Sequence, residues 1–134
     1  WAKIAYEALG FTYASGAFGR KLEVVQIRIG APREIDAAQF EGRPAAYKRD
    51  LGAYISMRDL QQLFVRSLET ASIENEWQVP FQIFYGISNN TRAFWSIVNA
   101  RRVIGYDPQD DSEVRFAGDV ARLVGDSERA GRVG

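Results

Sequence analysis

The stretch LEVVQIRIGAP, residues 22–32, decides how the rest of the chain is read. Leu22, Val24, Val25, Ile27 and Ile29 make a nearly continuous apolar run that Gly30 and Pro32 end. β-Branched side chains are stiff at χ1 and pack well on a pleated surface, so the run predicts a strand. A strand with one wet face would alternate apolar and polar positions. The density of apolar residues in this run predicts a strand covered on both faces, as in a parallel sheet.

The flanks are read outward from that strand. Upstream, Ile4, Ala8, Leu9, Thr12 and Tyr13 recur at helical spacing and Gly16 and Gly19 close the segment, predicting a helix over residues 2–17 with a broad apolar stripe. Downstream, residues 31–54 follow neither period and predict a long loop. An uninterrupted loop of about twenty residues in a compact domain is usually functional, so a substrate loop is expected there. Ser56 then caps a helix whose core face is Met57, Leu60, Leu63, Phe64 and Leu68, ending near Glu69. In VPFQIFYG, Val79, Phe81, Ile83 and Tyr85 alternate after a Pro, the pattern of a strand near a sheet edge. Ser96 predicts the start of a helix that Gly105 stops; a last helix follows over 112–124, and residues 125–134 read as a frayed tail. Residues 1–134 form one α/β unit without repeat or linker. So few strands make a poor free-standing parallel sheet, and the unit is expected to be part of a larger one.

Composition narrows the chemistry. The chain has 46% hydrophobic residues and equal numbers of basic and acidic side chains, 17 each, which fits a globular domain with no net field to draw nucleic acid or an anionic membrane. With neither signal peptide nor membrane span in the sequence, a cytoplasmic location is expected. The absence of Cys and His excludes thiol nucleophiles, disulfides, the usual zinc sites and a Ser-His-Asp triad. Catalysis would have to use carboxylates, Lys, Tyr, Ser or a bound cofactor. Asp110, Asp111 and Glu113 form an acidic loop without the spacing of a calcium site, and no metal is expected.

Three stretches carry a likeness. WAKIAYEALG followed by VVQIRIGAP resembles the segment after the active-site Tyr of the extended short-chain dehydrogenases, the NAD-dependent epimerase/dehydratase family, in which Tyr-x-x-x-Lys opens a long helix. LGAYISMRDLQQLFVRSLE is similar to a later strand-to-helix segment of that family. YGISNN, TRAFW and GYDPQDD in that order are most like its uronate dehydrogenase branch. The resemblance spans about residues 1–120. It implies the C-terminal portion of an extended Rossmann-type enzyme, late parallel strands with a small substrate-binding lobe, whose nucleotide-binding half and catalytic Tyr would lie ahead of Trp1.

Under that resemblance Lys3 is the family's Lys, which hydrogen-bonds the nicotinamide ribose and lowers the pKa of the Tyr. Ile29 and Pro32 would lie against NAD or NADP, and Ala31, Arg49, Asn89 and Asn90 against a sugar, sugar acid or nucleotide sugar. Arg49 stands where the branch grips a carboxylate, for which a guanidinium fork is suited. Arg92 and Trp95 could help frame the same pocket. Ala2 and Ala31 stand where Ser is common, Arg58 replaces a common Asp, and the 33–47 segment is longer than usual. The resemblance further implies a homodimer through the first helix, and a chain that by itself binds no cofactor and has no activity. A different class, a non-catalytic binding or oligomerisation module that keeps the family fold, fits the same residues.

Overall fold

Strands β1 (Val24–Ile29) and β2 (Phe81–Gly86) pair in parallel, with Val24 opposite Phe81 and Ile29 opposite Gly86. The computed structural model describes residues 1–125. Around the two strands the order is α1 (Ala2–Ser15), β1, a 3₁₀ turn (Ala37–Phe40), α2 (Pro44–Ala53), α3 (Met57–Glu69), β2, α4 (Val98–Ile104), α5 (Ser112–Arg115), α6 (Ala117–Val120) and a π turn (Ala121–Gly125). The tail expected over 125–134 lies, past Gly125, outside the described residues.

The parallel pairing follows from the crossover: a chain that must return to the same end of the sheet needs intervening helices, here α2 and α3. Val24 N–H donates to Pro80 O and Gly30 N–H to Gly86 O, both 2.9 Å. By alternation the even-numbered residues of β1 face β2 and the odd-numbered ones turn their polar backbone outward. Among the described residues β2 is the single ladder partner of β1.

Alternation also sorts the side chains. Val25 and Ile27 pack on the cluster of Ile55, Leu63, Ile73, Phe84, Ala100, Ile104 and Tyr106, between the sheet and helices α3 and α4. Gln26 and Arg28 point to α1, which runs antiparallel to β1. Gln26 Nε2 donates to Tyr6 O (2.8 Å), and the Arg28 fork grips both carboxylate oxygens of Glu7 at 2.7 Å. Helix and strand approach closely because Gly10 has no side chain: a Cβ there would lie 2.2 Å from the Gln26 amide nitrogen. The helix ends at Ser15, with Gly16 in the left-handed region at φ 82°.

Two expectations are corrected. Residues 31–54 are not a featureless loop, because the 3₁₀ turn and α2 occupy most of them. Asp36 caps the turn by accepting the Ala38 N–H, and Pro44 opens α2 at the first-turn position where its missing N–H costs nothing. Tyr47 and Leu51, one turn apart, anchor α2 in a second cluster with Ile35, Tyr54, Val120 and Val124. The last helix is likewise not continuous. It breaks at Phe116 (φ −109°, ψ 27°), whose ring meets Tyr54 edge-on at 5.3 Å, and resumes as α6.

Candidate functional site

Beyond Ile29 and Gly86 the two strands separate, and the segment ending α2 enters the gap. Ala31 N–H donates to Ala53 O (2.7 Å), Ile55 N–H to Ala31 O (3.2 Å) and Ser88 N–H to Tyr54 O (2.9 Å). Gly30 makes this approach possible, since a Cβ there would stand 2.0 Å from Ala53 O. Strands held apart at their carboxyl ends leave a crevice, the place where open parallel sheets bind ligands.

Two hollows meet there, sharing Trp95. One, of about 560 Å³, lies on the α1 side and is lined by Lys3, Tyr6, Glu7, Arg28 and Ile29. The other, of about 380 Å³, is lined by Ala31, Arg33, Phe40, Arg49, Asp50 and Phe94. Their shared wall is braced. Trp95 stacks on Tyr85 at 5.3 Å, the Tyr85 hydroxyl accepts from Arg28 Nη1 (2.9 Å), and Arg28 is held by Glu7. That pair pushes the Glu7 carboxyl below its usual range, chiefly through the Arg28 hydrogen bond, and pushes Arg28 up for the same reason. The second hollow carries a charge imbalance: Arg33 Nη2 contacts Asp50 Oδ2 at 2.8 Å, while Arg49 makes no hydrogen bond or ion pair with a described residue. Lys3, exposed at the open end of α1, is likewise without such a partner.

The structure thus brings Lys3, Ile29, Ala31 and Arg49 to one crevice. Pro32, exposed, follows Ala31 at its edge. Asn89 and Asn90 are not part of either hollow. The Asn89 side chain accepts from Arg101 Nη2 (3.1 Å). Asn90 is buried and fully used: its amide donates to Tyr54 O (2.7 Å) and Gly52 O (3.4 Å), and its carbonyl accepts the Ser112 N–H (3.1 Å). Arg92 is engaged by Glu113 at 2.7 and 3.0 Å.

The acidic loop has internal work as well. Asp111 caps α5 by accepting the Glu113 N–H (2.9 Å) and also accepts from Thr91, and Asp110 binds Arg58 at 2.7 Å and Ser56. Among the described residues no group of three or more acidic side chains is placed to hold a metal. Beneath this loop Asp59 is wholly buried and accepts Ser88 Oγ (2.6 Å), Gln109 N–H (2.9 Å) and Asp110 N–H (3.1 Å). Sequence reading missed the Arg33–Asp50 pair, since no periodicity links residues so far apart in the chain.

This geometry defines a class: an α/β chain with a crevice at the carboxyl end of parallel strands. Comparison with known proteins gives the particulars. The chain is 35% identical over 119 residues to an NAD-dependent glucose-6-phosphate dehydrogenase of Haloferax volcanii, covering 88% of this chain and 39% of that protein. In fold it is similar to the glucuronic acid dehydrogenase of Chromohalobacter salexigens (TM-score 0.59, 20% identity) and to a mutated uronate dehydrogenase (TM-score 0.60, 20% identity). Each covers 87% of this chain, which in turn spans 36% and 35% of those structures. No family model matches. The chain therefore has the fold of one portion of a uronate dehydrogenase and is related in sequence to a portion of an NAD-dependent sugar dehydrogenase.

Proposed function

We propose that the chain is the substrate-side part of an NAD(P)-dependent oxidoreductase acting on a sugar or sugar acid. One observation carries the reading: Arg49, a guanidinium without a partner among the described residues, lines a crevice at the carboxyl ends of parallel strands beside an aromatic wall. A guanidinium fork matches a planar carboxylate, and the faces of Phe94 and Trp95 suit the C–H face of a sugar ring. The fit to a dinucleotide is partial. Lys3 and Ile29 line the neighbouring hollow, where Lys3 could donate to a ribose hydroxyl, but the sequence holds no Gly-rich turn to cradle a pyrophosphate. When bound, the nicotinamide would supply the hydride acceptor. The chain alone is then expected to bind NAD too weakly for calorimetry and to have no activity; a low-micromolar Kd would overturn this placement of the cofactor.

The substrate assignment is tested on the chain itself, by NMR of the arginine Nε–H signals during titration with a hexuronate. Arg49 should shift, and Arg49→Met should weaken binding roughly ten- to a hundredfold. Hexuronate-induced shifts that spare Arg49 would refute the reading.

A homodimer through α1 belongs to the same proposal. Ile4, Leu9 and Tyr13 are exposed, while the face toward the sheet is carried by Glu7, Gly10, Phe11 and Ala14, with the Phe11 ring meeting Phe81 of β2 edge-on at 5.4 Å. An apolar outer face of this extent suits a self-complementary contact.

A further inference from the structure

We propose that Asp50 sets the charge selectivity of the crevice: by neutralising Arg33 it leaves Arg49 as the uncompensated cation, so that the site takes a monoanionic carboxylate in preference to a dianionic phosphate ester. The proposal rests on the reading of this crevice as the substrate site and deepens it to the level of one residue.

Three charges line the hollow, Arg33, Arg49 and Asp50. Arg49 and Asp50, consecutive in α2, both line the hollow that also holds the strand-end residues Gly30 and Ala31. Arg33 comes from the other wall, two residues beyond Ala31, and reaches across to Asp50 through one N–H at 2.8 Å. Its remaining donors have no partner among the described residues. Glu34 next to it is taken by Arg115, at 2.9 Å to both oxygens, and does not compete. The Arg33 side chain is 58% exposed and that of Asp50 20%. The acid is therefore the fixed partner, and the guanidinium is free to swing if the acid is lost.

Consequences for an arriving anion follow from charge alone. A carboxylate carries one negative charge and two coplanar acceptors, a match for one guanidinium fork. A phosphate monoester carries about −1.5 to −2 at neutral pH and three acceptors, and needs a second cation to offset its desolvation. With Asp50 present the second cation is already satisfied, and the acid's own charge repels the dianion more strongly than the monoanion. Converting Asp50 to a neutral residue removes the repulsion and releases Arg33 at once.

The test uses the 134-residue chain, titrated with a hexuronate and with a hexose 6-phosphate while the Arg33 and Arg49 Nε–H signals are followed by NMR. Asp50→Asn should raise affinity for the hexose phosphate roughly ten- to a hundredfold, with a new Arg33 shift, and raise that for the hexuronate by only about threefold or less. Asp50→Glu should keep the parent's preference. In the double variant Arg33→Gln/Asp50→Asn the phosphate gain should vanish. Equal gains for both ligands, no gain, or a gain that survives the loss of Arg33 would each overturn the proposal. Hexuronate shifts at Arg49 in the parent report on the substrate reading alone. That reading can therefore fail while the Asp50 result stands, and the reverse.

Discussion

Replacing Asp59 with Ala is expected to destabilise the chain by about 3–5 kcal/mol, because the side chain is wholly buried and three donors depend on it. Ser88 Oγ donates to it at 2.6 Å, Gln109 N–H at 2.9 Å and Asp110 N–H at 3.1 Å. Each such bond to a carboxylate contributes on the order of 1.5–3 kcal/mol, and each donor left buried without an acceptor adds a penalty of its own. Against this stands the recovered cost of burying a charge, several kcal/mol, which keeps the net well below the simple sum. Asp59→Asn is a finer probe. Its amide keeps one acceptor but turns an N–H₂ toward at least one existing donor, so it should recover only part of the loss. Urea unfolding followed by circular dichroism measures both variants. A loss under about 1 kcal/mol for the Ala variant would mean that the loop over 107–111 is not tied to α3 through this carboxyl, and the account of how Asp110 and Asp111 are positioned would fall.

Other consequences are open to direct measurement. Burial raises the hydroxyl pKa of Tyr106, and likewise those of Tyr54 and Tyr47. Above about pH 10 the unfolded chain therefore loses tyrosine protons that the folded chain retains, and stability should fall as pH rises through that range; a flat alkaline stability curve would contradict it. Lengthening Gly30 to Ala should cost about 1–3 kcal/mol, since the added Cβ must displace the Ala53 carbonyl where the strands part; an unchanged unfolding midpoint would show that the crevice floor is loose. For α1, light scattering well above micromolar concentration should show a dimer, and Leu9→Glu should return it to monomer. A parent that is monomeric under those conditions would remove the dimer from the proposal.

Legibility in the sequence tracked how much of a segment's stability is local. β1 could be read because its run is dense in β-branched apolar residues, and the structure pairs it in parallel with β2. The start of α3 was legible for a local reason too: Ser56 Oγ accepts the Asp59 N–H at 3.1 Å, and the Gly105 stop of α4 is a left-handed cap. Helix α2 was not legible, since only Tyr47 and Leu51 plus a glycine make its buried face and no apolar stripe announces it. Pro44 was the available signal. On α1 the stripe read from the sequence drew attention while the contact with the sheet is made by Glu7, Gly10, Phe11 and Ala14, so Ile4, Leu9 and Tyr13 of the legible stripe are left exposed.

The candidate site shows the same division at the level of charge. Arg49 could be singled out in the sequence by resemblance, but its having no partner among the described residues is a fact of three dimensions: Asp50, the next residue, faces Arg33 instead. Neighbours along a helix do not point the same way, so adjacency in sequence would have suggested the opposite pairing. Had Asp50 taken Arg49, the crevice would present Arg33 from the strand side, and an anion would be drawn toward the outer rim rather than toward the aromatic wall of Phe94 and Trp95. The salt link is exposed and contributes little to stability, ~0–1 kcal/mol. Its consequence lies in which cation is left over, so the Arg33→Gln variant should unfold like the parent while the Asp50→Asn variant changes which anion the crevice admits.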